Sequence, residues 1–189
     1  MSTYQALPAD GMKARWADAQ GRPAEEASLR WENEAWTVET LLREQRAQVV
    51  LRISAGWHMR QMLLFRDLPE PDLWLATDGG GRWGEVNGAH RDDLDGCTEL
   101  LVRGSVVSHV ASLRRLPLLV GHSAEMRVAL VDAETLSVTP TTWRYHRHGD
   151  HRWEVEEAST RTRLQVEVDR HGVPLDLGDE RRRVSADDE

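Results

Sequence analysis

At 189 residues the chain is long enough for one domain with a core of its own, and a net charge of −8 argues against a general nucleic-acid or anionic-membrane surface. The single cysteine, Cys97, excludes an internal disulfide. No run approaches the ~20 apolar residues that span a bilayer. The start, MSTYQALPADGMKARW, has neither the basic nor the apolar region of a signal peptide, so a cytoplasmic location is expected.

The elements follow in chain order. Met12–Ala17 reads as a short strand carrying Trp16, after a polar segment, 1–11, expected to be a flexible tail. Asp18-Ala-Gln-Gly-Arg-Pro23 is turn chemistry. Ser28–Trp31 and Ala35–Arg43 are the next strands, with Trp36, Val38, Thr40 and Leu42 on one face. Ala47–Ser54 puts Val49, Leu51 and Ile53 on one side. Ala55-Gly56 breaks the run, and Trp57–Arg66 follows. There the alternation predicts Trp57, Met59, Leu63 and Phe65 on one face and His58, Arg60 and Arg66 on the other. Leu73–Thr77 is short and nearly all apolar. Asp78-Gly-Gly-Gly-Arg-Trp83 lacks the lysine and long helix of a phosphate loop and reads as a hairpin turn. The acidic stretch with Asp92, Asp93 and Asp95 has no ordered metal-ligand spacing and reads as a solvated loop. Cys97–Val102 is a strand, and its thiol has no paired base, which suits a core position. Val106–Leu116 is the one predicted helix, stopped by Pro117.

Ser123–Tyr145 carries the strongest strand signal. Ala124, Met126, Val128 and Leu130 alternate with Glu125 and Arg127. The turn is Asp132–Thr135. Leu136 and Val138 resume the alternation, but Trp143 and Tyr145 fall on the other parity, which predicts a bulge or bend near Pro140–Thr142. Gly149-Asp150 turns a further hairpin, whose His146, His148 and His151 read as an exposed His-rich tip rather than a zinc site. Arg163–Asp169 and Val173–Leu177 complete the set. From Arg181 the chain turns polar, and 185–189 is expected to be a second flexible tail.

The total is about ten or eleven short strands at roughly 8–12-residue spacing with one short helix. That predicts an all-β fold: a curled, incompletely closed antiparallel β-barrel forming a single domain over 12–184.

Several motifs then fit a known family: Ala55-Gly56-Trp57, Asp78-Gly-x-Gly-Arg-Trp83, Leu94-Asp95-Gly96-Cys97, Leu113-Arg114-Arg115-Leu116, Ser123-Ala-Glu-x-Arg127-Val128-Ala129 with Val131-Asp132, and Arg144-Tyr145. In this order, from about Trp16 to Val184, the chain resembles the "putative glycolipid-binding" family, bacterial proteins of unproven function. The resemblance implies a curled open barrel similar in shape to the lipoprotein carriers LolA and LolB.

The expected function is binding of an amphipathic small molecule, such as a glycolipid, on the concave face, without catalysis or cofactor. The lining candidates are Trp57, Arg60, Arg82, Trp83, Arg114, Arg115, Glu125, Arg127 and Tyr145. Arginines would hold an anionic headgroup and aromatic rings would stack on sugar or acyl parts. The alternative is a hydrolase using Glu125, Asp95 or Asp132 with Arg127 and Arg115. A third reading is a homodimer through an open sheet edge.

Overall fold

The structure, a computed structural model, describes residues 4–67, 69–85 and 87–184. Residues 1–3 and 185–189 of the expected tails lie outside it.

The strands are β1 (Met12–Asp18), β2 (Pro23–Glu32), β3 (Ala35–Leu42), β4 (Ala47–Ser54), β5 (Met59–Phe65), β6 (Leu73–Thr77), β7 (Trp83–Glu85), β8 (Glu99–Val102), β9 (Ser123–Val131), β10 (Val138–Arg147), β11 (Arg152–Glu157), β12 (Thr162–Glu167), β13 (Asp176–Leu177) and β14 (Arg181–Val184). A 3₁₀ turn at Val107–His109 runs into α1 (Val110–Arg115). The fold is all-β with one short helix, as expected, but with fourteen strands among the described residues. They form two sheets, ordered β13-β14-β1-β2-β3-β4-β5-β6-β7 and β12-β11-β10-β9-β8. The first curls into a half-barrel and the second stays open.

One pairing is not antiparallel. β8 runs parallel to β9, with Glu99 opposite Val128 and Leu101 opposite Leu130. Parallel neighbours need a crossover, and here the connection carries α1. The helix crosses the interior, so nearly all of it is covered: Val106, Val107, Val110, Ala111 and Leu113 are fully buried. Until its closing Arg114 and Arg115, the segment offers only small or apolar side chains besides Ser108, His109 and Ser112, which suits an interior place. Leu29, Val38, Leu51 and Met62 reach the core from the half-barrel, and Val128, Tyr145, Trp153 and Val155 from the open sheet.

The expected kink in the Ser123–Tyr145 hairpin is absent. β10 pairs with β9 without a shift, from Val138 opposite Val131 to His146 opposite Ser123. Val138 therefore shares a face with Val131, away from Trp143 and Tyr145, and the Arg91 guanidinium reaches its carbonyl at 3.4 Å. An apolar residue covered on the outer face, not a parity change, explains the pattern. The bulge lies in β5 instead. Ile53 pairs with Met59 and Arg52 with Gln61, so Arg60 is the extra residue. Met62 and Leu64 then face inward, and Leu63 and Phe65 do not, contrary to the simple alternation.

Part of the segment expected to be an N-terminal tail is packed, and the domain's last residues form a strand. Tyr4 and Leu7 are buried, and the Trp153 indole N–H donates to the Tyr4 hydroxyl at 2.8 Å. Arg181–Val184 forms β14 on β1. No helix among the described residues is long and apolar enough to cross a membrane.

Candidate functional site

The two ends of α1 and its preceding turn meet very different surroundings. At the start stands Glu25, an inward residue of β2 opposite Leu42. Its carboxylate accepts the Val106 backbone N–H at 2.6 Å, the Ser105 hydroxyl at 2.6 Å and the Thr40 hydroxyl at 2.9 Å. Burial pushes its carboxyl up, and these donors pull it back. The group is closed in and well partnered, which marks it as architecture.

At the other end, α1 finishes on Arg114 and Arg115 before Leu116 and Pro117. Arg114 is 7% exposed, and its guanidinium carbon lies 4.2 Å from the centre of the Trp57 ring. Its terminal nitrogens reach only the Gln5 carbonyl, at 3.3 and 3.4 Å, and its Nε has no partner. No carboxylate of the described residues lies within ion-pair distance of it; Asp169, which pairs with Arg183, acts on it from farther away. Burial lowers this guanidinium to about 10, so it stays charged at neutral pH. The packing is tight: a Cβ on Gly172 would stand 2.6 Å from Tyr4 and 3.1 Å from Arg114.

Trp57 is itself held in an unusual backbone state, with φ at +64° in the turn between β4 and β5. Such a conformation costs a bulky residue about 1–2 kcal/mol and persists where the surroundings enforce it. Here its ring stacks on Trp36 at 5.4 Å, and Trp36 meets Trp31 edge-on at 5.3 Å. The row of indoles ends at Trp31, 46% exposed.

Between these groups lies a cavity of ≈ 460 Å³, lined by Gly56, Trp57, Arg114, Arg115, Leu118 and Leu119 among others. Leu119 is 71% exposed and Val120 51%. Arg147 fixes this loop by donating to the Leu118 carbonyl at 2.7 Å. Two larger hollows lie elsewhere, one beside Arg30 and Glu39 and one beside Arg181–Arg183. Most of their arginines have carboxylate partners: Arg30 on Glu39, Arg163 on Glu156, Arg181 on Glu44 and Arg183 on Asp169, while Arg182 is exposed. The cavity at the end of α1 combines a buried guanidinium that makes no ion pair among the described residues with exposed apolar side chains.

Behind Arg115 sits Glu99, wholly buried on the inward side of β8. Its Oε1 forms an ion pair with Arg115 Nη2, and neither carboxylate oxygen has a well-formed hydrogen bond. Burial raises this carboxyl to about 7, against the pull of Arg115 and Ser112. The hydroxyl of Ser112, Arg115 Nε, the hydroxyl of Thr141 and the indole nitrogen of Trp143 are likewise buried without partners. Tyr145 stands 3.0 Å from His109 Nδ1, and burial pushes the phenol up and the imidazole down to about 4.

A family model described as "putative glycolipid-binding" matches residues 13–183. The chain belongs to that family. Among solved structures, a crystal structure of a DUF1089 family protein from Pseudomonas aeruginosa aligns with a TM-score of 0.65 at 21% identity. The alignment covers 92% of this chain and 91% of that one. At that identity the likeness concerns the fold. No curated protein matches the chain.

Within this family member, the residues singled out from sequence separate into three groups. Trp57, Arg114 and Arg115 line one cavity. Trp83 and Tyr145 are core: the Trp83 indole donates to the Cys97 carbonyl at 2.8 Å, and Tyr145 is fully covered. Arg60, Arg82, Glu125 and Arg127 are exposed. Arg60 reaches the Asp78 carbonyl, Glu125 pairs with Arg144, and Arg127 reaches the Asp93 carbonyl. The charged side of β9 thus looks out, because its apolar partners Met126 and Val128 face the helix. The carboxylates weighed for hydrolysis do not converge: Asp95 is on His90, Glu125 on Arg144, and Asp132 accepts the N–H groups of its own turn. Glu99 and Ser112 were missed. One signal was available for Glu99: a charge leading straight into Leu100-Leu101-Val102, a run apolar on both faces.

Proposed function

We propose that the chain binds an amphipathic small molecule with an anionic headgroup, a glycolipid being the class the family description suggests. One observation carries the reading. The Arg114 guanidinium is nine-tenths buried, makes no ion pair among the described residues, sits over the Trp57 ring and lines a cavity rimmed by Leu119. A buried charge that the carboxylate of Asp169 reaches only from beyond ion-pair distance is costly, and an anion supplied by a ligand relieves that cost. Guanidinium forks suit phosphate, sulfate or carboxylate, the Trp57 indole on the cavity wall adds an apolar contact for sugar or methylene groups, and Leu118–Val120 offers a surface for an alkyl tail.

The test is titration with decanesulfonate, an alkyl anion charged at every accessible pH, and with decyl maltoside, an uncharged counterpart. Binding is read from indole fluorescence. The sulfonate is expected to bind more tightly, and Arg114→Ala to weaken it at least tenfold while the maltoside changes little. Equal affinity of the folded wild type and Arg114→Ala for the sulfonate would remove the headgroup assignment. Failure of both amphiphiles to bind would remove the cavity as a site.

A further inference from the structure

Arg115 joins two environments. Its side chain is 21% exposed on the cavity wall, and its Nη2 rests on Glu99, which has no exposure at all. The same nitrogen contacts Met126 Sδ at 3.4 Å, and Nε has no partner. An anion in the cavity therefore competes with Glu99 for one guanidinium. Two negative groups sharing it in a low-dielectric interior repel each other strongly.

We infer that an anionic headgroup entering the cavity draws Arg115 toward itself and that Glu99 takes up a proton from the buffer in the same step, so that ligand binding and proton uptake are coupled. This rests on the binding reading above and adds its regulation. The only covalent change is an O–H bond formed on the Glu99 carboxylate.

The groups facing Glu99 leave it as the proton acceptor. From α1 come Arg115, its ion-pair partner, and Ser112. From β10 come Tyr145, whose phenol keeps its proton, and Thr141, which shares the inward side. β9 contributes Met126 and Val128, which do not titrate. His109 stands beyond Tyr145 and is held neutral by burial. His58 lies toward Arg115, and burial and the positive charges of Arg115 and Arg60 hold it below its usual range. Glu99 already sits near neutrality, where one proton is gained at small cost.

The experiment is calorimetric titration of the full chain with decanesulfonate at pH 8, in two buffers of different ionisation enthalpy. Wild type is expected to take up close to one proton per ligand, and its affinity to fall about tenfold per pH unit above the Glu99 midpoint. Glu99→Gln and Glu99→Leu should bind without proton uptake and with affinity independent of pH. Wild-type binding without uptake, or undiminished uptake in both variants, overturns the coupling and leaves the binding site standing. Failure of the folded wild type to bind the sulfonate at any pH overturns both.

Discussion

The buried helix carries a carboxylate near each end, and the two are treated in opposite ways. Glu25 is saturated by a backbone N–H and two hydroxyls, all shorter than 3 Å. Glu99 has one arginine and no well-formed hydrogen bond. Buried polar groups that only hold a fold are normally satisfied, so the satisfied end reads as structure and the unsatisfied end, open to a cavity, as a site. Substitutions at the first should therefore cost stability, and at the second mainly binding and its pH dependence.

The largest effect is expected at Glu25. Glu25→Ala strands the helix-start N–H and two hydroxyls in the core and should destabilise by roughly 3–5 kcal/mol, read by urea unfolding. Equal stability of the variant and the wild type would dissolve the contrast between the two ends.

Glu99→Gln comes next, with the opposite sign at alkaline pH. The folded carboxyl titrates near 7, above its ordinary 4.5 in the unfolded chain. Between these values the folded state holds the extra proton, so stability falls as pH rises through that window and is lowest above it. The glutamine removes this loss, and the gap between variant and wild type should widen by about 3 kcal/mol from pH 4 to pH 8. His109 works the other way: burial lowers it to about 4, so its contribution is lost as pH falls from about 6.5. Comparing each variant with wild type separates the two.

Arg114→Ala should weaken decanesulfonate binding tenfold or more, with Arg114→Lys only partly restoring it, because a lysine cannot lie flat on the Trp57 ring. A smaller change, a few-fold in affinity for alkyl ligands and none in stability, is expected for Leu119→Asp at the exposed rim. The smallest is Glu125→Ala on the outer face of β9, where the pair with Arg144 is exposed and neither folding nor binding should move.

Much of the fold was legible in the sequence because it is written in local periodicity. The alternation through Met126, Val128 and Leu130 placed the inner face of β9 correctly. Pro117 marked the end of the helix, and Asp78–Trp83 the hairpin whose turn Asp78 braces by accepting the Gly80 N–H at 2.6 Å. Errors arose where one residue shifts parity or where a second layer covers an outer face. Arg60 slips β5 by one place, and the segment bearing Arg91 covers Val138. Neither leaves a mark in the alternation itself.

The amino-acid order alone determined the class of fold, most strand runs, one short helix and the family, since all of these rest on short-range pattern and motif order. Folding in three dimensions alone decided which charges matter. Glu25 meets Val106 from 81 positions away, and Arg114 on α1 finds its ring at Trp57, in the turn between β4 and β5. Whether an arginine ends against a carboxylate, in water, or beside an empty space depends on which distant element is packed against it, and periodicity within one element holds no record of that neighbour.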